Sequence, residues 1–308
     1  MISRRNIRVK VMQQLYVMEN VNDANAFKNP VHNLEKEFDK TRELFAYLIY
    51  FVTEVARYAE ADARQRASKN ITTQEDLNVN IKIAGNELLW QILELPSFKK
   101  TIELDKPELR IDKSLLKKIY NELVEAAEYK TYITEQFRDK KAEKDIILFI
   151  FTNLLLPNES FISHIEELFI NWDDDADTMD QMVMAFLQKP SDNIQQMLTK
   201  EKWEFAKLLF TTAIDKKDYT LELIKPKLKN WDAERIALLD MILMQMGVCE
   251  LLYFETIPTK VTINEYIDLA KDYSTNQSGN FVNGILDNIH KELMATGKIH
   301  KIDFKRKA

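Results

Sequence analysis

The chain has 308 residues, 45% of them hydrophobic, with 43 Lys+Arg against 49 Asp+Glu and a formal net charge of -6. Five glycines and one cysteine argue against sheets joined by glycine turns, glycine-rich phosphate loops, disulfide frameworks and four-cysteine zinc sites. Leu, Lys, Glu, Ala, Met and Gln dominate, which predicts an all-α protein of one or two domains.

The opening stretch SRRNIRVKVMQQLY sets Arg4, Arg5, Arg8 and Lys10 ahead of the first acid, Glu19. Ser3 is a candidate cap for a helix reaching about Glu19, with Ile7, Val11, Leu15 and Met18 on one apolar face. In that helix Arg4 and Arg8 lie one turn apart with Arg5 beside them, so their guanidinium groups can converge on neighbouring phosphates. Arg8 borders the apolar stripe, which predicts a packed stem with an exposed head. Cations at a helix N-terminus oppose the macrodipole, and this tilts the reading toward function. On this stretch alone a solubilising terminus stays open.

The polar segment 20–30 reads as a connection. Helices are predicted over 42–66, 82–95, 112–138 and 143–155, separated by a polar loop near 68–80 and by Pro96, Pro107 and Pro157. Shorter helices follow, punctuated by Pro190, Pro226 and Pro258. The longest apolar run, Ile146 to Leu156, falls short of the roughly 20 residues a bilayer span needs, and no signal-peptide pattern opens the chain. A soluble, cytoplasmic protein is expected. Cys249, inside MGVCELLYF, reads as a small buried hydrophobe.

The sequence also echoes itself. Phe151-Thr152 precedes Asn171-Trp172-Asp173 at the same separation as Phe210-Thr211 precedes Asn230-Trp231-Asp232, and Ile165 matches Ile224 in that register. Two helical hairpins of one design would produce this pattern, and so would chance similarity between helices.

Catalytic signatures are missing. His32, His164, His290 and His300 form no zinc-binding pair, and no nucleophile elbow or phosphate loop occurs. The chain therefore reads as a non-enzyme without a cofactor or metal. Asp173, Asp175 and Asp177 alternate like calcium ligands, but the next position is Thr178 instead of glycine and the twelfth is Met184 instead of glutamate. Carboxylates complementing a helix N-terminus explain them better.

The most informative stretch is PTKVTINEYIDLAKDYSTNQSGNFVNGILDNI, Pro258 to Ile289. Thr262 and Glu265 have capping-box spacing, Ser278 can cap a second helix, and Phe281, Val282, Ile285, Leu286 and Ile289 form its stripe. Gly284 within that helix costs about 1 kcal/mol relative to alanine, which predicts a close backbone approach there.

These residues resemble the closing signature of the NusB family of transcription antitermination factors. Pro258, Lys260, Val261, Ile263, Asn264, Glu265, Leu269, Ala270 and Lys271 fit its first part, and Ser278, Phe281, Val282, Asn283, Gly284, Leu286 and Asp287 its second. The family's opening motif is met independently by Arg4, Arg5, Arg8, Gln13, Leu15 and Tyr16. Residues 203–250 are similar to the family's central helices more loosely. The resemblance implies a NusB-like helical bundle from 1–20 and 200–298, a helical insertion at 21–199 of unassigned role, and a basic tail at 299–308.

It also implies binding to a single-stranded RNA element of rRNA leader transcripts together with the ribosomal protein NusE, as part of the RNA polymerase antitermination complex. A homodimer is left open. By residue, the carry-over makes Arg4, Arg5, Arg8, Ser278, Asn280 and Phe281 the RNA contacts, with Phe281 equally readable as core. Asp240 and Glu250 would meet basic residues of the partner, and Tyr16 would be structural. Departures weaken the RNA side: Asn6 stands where a further arginine is frequent, Val9 where glutamate is, Gln277 where an acid is, and Asn280 where Lys or Arg is usual. Lys227 and Lys229 are candidates to compensate. Two alternatives remain at this point. One is a protein-interaction scaffold in ribosome biogenesis with weak RNA affinity. The other is a stand-alone relative of the helical domain that precedes rRNA methyltransferase domains.

Overall fold

A computed structural model describes residues 2–21, 28–228 and 236–302. Every regular element among them is helical, as the composition predicts. In chain order these are α1 (Arg4–Asn20), α2 (Pro30–Ala67), α3 (Gln74–Leu77), α4 (Glu87–Glu94), α5 (Pro96–Asp105), α6 (Lys113–Glu125), α7 (Ala127–Thr134), α8 (Lys140–Phe149), α9 (Glu159–Leu168), α10 (Trp172–Gln188), α11 (Lys200–Asp215), α12 (Lys217–Ile224), α13 (Leu238–Tyr253), α14 (Thr259–Tyr273) and α15 (Ser278–Ala295). Among the described residues no single helix is long and apolar enough to cross a membrane.

The chain divides into two compact units. One, here the inserted unit, spans Asp39–Met197; the other, the terminal unit, joins Ile2–Phe38 to Leu198–Ala308. The terminal unit is organised around α13, against which α1, α11, α12, α14 and α15 all pack. Nearly every face of α13 is apolar, as a helix enclosed on all sides requires: Leu243, Met244, Met246, Val248, Cys249 and Leu251 are all fully buried. Cys249 is thus the core hydrophobe that its surroundings imply, and burial pushes its thiol up to about 12. The close approach expected at Gly284 occurs elsewhere. Nothing lies within 4 Å of where a Gly284 side chain would begin, whereas a Cβ on Gly247 of α13 would meet Leu286 at 3.0 Å and Tyr266 at 3.3 Å.

In the inserted unit α2 supplies an apolar face through Phe45, Leu48, Phe51, Val52 and Val55, all buried, and Phe51 meets Phe161 edge-on at 4.9 Å. Helix boundaries depart from the sequence reading here. The helix expected over 82–95 is a 3-10 turn at Lys82–Gly85 followed by α4. The stretch 112–138 breaks at Ala126, whose backbone is extended (ψ 141°) although no proline or glycine marks it. The segment 143–155 begins at Lys140 and widens into a π-helical turn over Ile150–Leu155, where Leu156 N–H donates to the Phe151 carbonyl at 3.1 Å. The acidic run at 173–175 occupies the first turn of α10, as the dipole argument predicts.

The internal echo has a structural counterpart. In the same register, buried Ile146, Ile150, Phe151, Phe161, Ile165 and Phe169 correspond to buried Phe205, Leu209, Phe210, Thr220, Ile224 and Leu228. The first set runs from α8 through the π-helical turn and α9 to Phe169 just beyond it, and the second from α11 through α12 to Leu228, which follows a 3-10 turn at Lys225–Lys227. Asn171 precedes α10 and Trp172 opens it, while Asn230, Trp231 and Asp232 lie outside the described residues.

Candidate RNA- and partner-binding face of the terminal unit

The site begins with how α1 tolerates its arginines. Ser3 caps the helix by accepting from Asn6 N–H at 3.1 Å, and Asn6 Oδ1 accepts from Ser3 N–H at 3.1 Å. This reciprocal box satisfies two N–H groups that would otherwise add to the positive helix end. It also gives Asn6, a departure from the family motif, a local role that arginine could not fill.

The three arginines then separate. Arg4 Nη2 donates to Glu201 on α11 at 2.8 Å, and Arg5 Nη2 donates to Asp272 on α14 at 2.5 Å. Both arginines stay open to solvent, their side chains 43% and 36% exposed. Arg8 does not. It is 2% exposed, its Nε and Nη2 donating to the two oxygens of Glu250 at 2.9 and 2.8 Å and its Nη1 to Glu265 at 3.0 Å. The guanidinium also lies over the rings of Phe205 and Tyr266, 5.6 and 5.9 Å from their centroids. Burial works against its charge, but the hydrogen bonds and proximity of Glu250 outweigh it and hold Arg8 above the ordinary arginine range. The exposed head expected for Arg8 is therefore corrected: its donors point into the fold, because the stripe it borders turns it toward α13.

Glu250, expected to face a partner, is the other half of this buried pair. It is fully enclosed and also accepts from Thr262 Oγ1 at 2.9 Å and the Tyr266 hydroxyl at 3.2 Å. Burial, then Glu250, keeps the Tyr266 phenol well above its usual value. Thr262 accordingly lies inside α14, which starts at Thr259 after Pro258, and does not form the capping box that its spacing with Glu265 suggested. Lys301 closes the far side, donating to the carbonyls of Glu250 and Phe254 at 2.9 and 2.8 Å. Burial lowers its ammonium to about 8, against the pull of Glu250 and Glu255. Of the expected basic tail, Lys301 thus binds the end of α13, while Lys305, Arg306 and Lys307 lie outside the described residues.

Asp240 and Ser278 form a second buried link. Ser278 Oγ donates to Asp240 Oδ2 at 2.7 Å, and the two residues are 1% and 5% exposed. Ser278 opens α15 without capping it; its hydroxyl ties the preceding turn instead, accepting from Thr275 N–H at 3.2 Å. Asp240 and Ser278 thus hold the starts of α13 and α15 together, and neither side chain is presented to solvent as the sequence reading expected. Asn280 is exposed and Phe281 half-buried on the first turns of α15. Tyr16, expected to be structural, is 43% exposed. Lys227 is engaged by Glu292, and Lys229 lies outside the described residues. Among the described residues no cluster of His, Cys, Asp and Glu could hold a metal ion.

This arrangement joins the two ends of the chain that carry the motif: the basic turn of α1 and the α14–α15 signature share one face through Arg5–Asp272. Comparison with known proteins bears on the second of these ends, since α1 lies outside the segment that the family model matches. The NusB family model matches residues 164–291. The transcription antitermination protein NusB of Finegoldia magna is 42% identical over 96 residues, 31% of this chain and 70% of that protein. That of Salinibacter ruber is 37% identical over 134 residues, 44% of this chain and 80% of that protein. The chain belongs to the NusB family of transcription antitermination proteins. A third relative, from Chloroherpeton thalassium, is 47% identical over 72 residues, 23% of this chain and 34% of that protein. No solved structure matches the chain. NusB-family proteins are not enzymes, and this member carries helical content beyond the matched segment, including α2 to α8.

Proposed function

We propose that the terminal unit binds a single-stranded element of rRNA leader transcripts together with the ribosomal protein NusE, and so supports processive transcription within the RNA polymerase antitermination complex. The observation that carries this reading is the Arg5–Asp272 contact at 2.5 Å, which sets the exposed basic turn of α1 beside the segment leading into Asn280 and Phe281. Arg4 and Arg5 supply phosphate contacts, and Phe281 and Asn280 offer an aromatic edge and a polar group for an unstacked base. Arg8, Glu250, Asp240 and Ser278 act as the internal frame that holds α1, α13, α14 and α15 in place.

Fluorescence anisotropy with a labelled leader RNA, titrated with salt in the presence and absence of NusE, tests the proposal. Each lost phosphate contact lowers the salt slope by about 0.7 for a single strand. Arg4→Ala and Arg5→Ala should each weaken binding and flatten that slope. If the unaltered protein shows no salt-sensitive binding in either condition, the RNA reading fails and a protein-only scaffold takes its place.

A further inference from the structure

The exposed arginines are occupied by carboxylates of their own unit. Glu201 stands in the first turn of α11, and Asp272 in the last turn of α14. Asp272 is electrostatically misplaced on its own helix, because a helix C-terminus disfavours an anion. Arg5 is misplaced in the opposite sense, at the positive end of α1. The two misfits pair at 2.5 Å, and Arg4 pairs with Glu201 at 2.8 Å. Glu201 and Asp272 keep 78% and 55% of their side-chain surface in solvent. Exposed ion pairs of this kind are weak, so they neutralise the turn without locking it.

We infer that Glu201 and Asp272 are built-in competitors for phosphate, which keep the cationic turn self-neutralised until adjacent phosphates of one RNA strand displace both carboxylates. The inference rests on the RNA-binding reading above and adds two residues that tune it. An isolated anion gains little by replacing one carboxylate and leaving that carboxylate unpaired nearby. A strand that presents successive phosphates to Arg4 and Arg5 recovers two charge-assisted contacts and releases its condensed counterions. The device thus discriminates against small anions and sets a limit on RNA affinity.

It also has a salt signature. When phosphate displaces Asp272, the freed carboxylate regains a counterion, so the net release per contact is smaller than for an unpaired arginine. Removing the carboxylate charge therefore both tightens binding and steepens its salt dependence.

The test is anisotropy with the labelled leader RNA across a salt series, on the full chain. Glu201→Gln and Asp272→Asn should each raise affinity roughly two- to fivefold, the range a weak exposed pair allows, with a steeper salt slope. Asp218→Asn on α12, paired with neither arginine, serves as the control for net charge. In an Arg5→Ala background, Asp272→Asn should lose most of its gain. Equal affinities for Asp272→Asn, Asp218→Asn and the unaltered protein would overturn the inference, and so would a gain that persists in full without Arg5. If Arg4→Ala and Arg5→Ala themselves leave binding unchanged, the RNA reading fails first, which distinguishes the two failures.

Discussion

Replacing Arg8 with alanine should damage folding, not merely binding. In the structure it leaves Glu250 fully buried with only Thr262 and Tyr266 as side-chain donors, and strips Glu265 of one partner. Breaking a buried pair by removing one member costs about 3–5 kcal/mol, because the remaining charge is uncompensated. That is a large share of the roughly 5–15 kcal/mol that holds a domain folded. Urea denaturation of the Arg8→Ala protein, followed by far-ultraviolet circular dichroism, should show an earlier transition corresponding to a loss of that size. Arg4→Ala should shift the same transition by less than about 1 kcal/mol, since its partner is exposed. A second variant, Glu250→Gln combined with Arg8→Met, removes both charges and should recover part of the loss. If Arg8→Ala unfolds like the unaltered chain while losing RNA affinity as Arg4→Ala does, the guanidinium reaches the ligand and the structural assignment of Arg8 is wrong.

Further outcomes follow from the same packing. Gly247→Ala should destabilise by about 1–3 kcal/mol, because its new methyl would meet Leu286 and Tyr266 in a filled core. Gly284→Ala, where nothing lies within 4 Å, should instead stabilise by up to about 1 kcal/mol through helix propensity, and thermal melts of the two variants should move in opposite directions. Cys249, fully buried with its thiol raised to about 12, should resist iodoacetamide at neutral pH until denaturant is added; labelling at the native rate would contradict its burial. Lys301 should titrate near 8, readable by NMR of isotope-labelled lysine side chains. Its folded value lies below its ordinary one, so between about pH 8 and 10.5 the unfolded chain holds more protons and this group's contribution to stability rises with pH; a normal titration near 10.5 would place its ammonium outside the α13 terminus.

Much of the fold was legible because composition argues against the alternatives: five glycines are few for the turns of a sheet protein of this length. What was not legible has a common physical origin. The break at Ala126 carries no proline or glycine, and the π-helical turn at 150–155 leaves a run of apolar residues that reads as ordinary helix. Gly284 and Gly247 illustrate the same limit, since a sequence registers that a glycine is present but not whether a neighbour leans on it. The site was legible in part. Spacing grouped Arg4, Arg5 and Arg8 on one turn, yet only the buried carboxylate of Glu250, distant in sequence, decides which one turns inward. A signal for this existed: a glutamate inside the enclosed apolar helix MGVCELLYF demands a cation, and of the three arginines Arg8 is the one that borders an apolar stripe.

That division of labour bears on how a family motif should be read. The spacing of Arg4, Arg5 and Arg8 suits a strand of phosphates, and the same spacing lets one arginine anchor the helix that presents the other two. Arg8 fixes α1 to α13 and α14 through Glu250 and Glu265, while Ser278 and Asp240 fix the start of α15 to α13. With both ends pinned to one central helix, Arg5 and the half-buried Phe281 sit on a shared frame, and under the proposed function the entropy of ordering two mobile walls is met on folding, not on binding. Motif identity at Arg8, Asp240, Glu250 and Ser278 is therefore evidence for the frame. Under the proposed function, RNA affinity is decided by what stands open to solvent on it, Arg4, Arg5, Asn280, Glu201 and Asp272, and three of those five carry no positive charge.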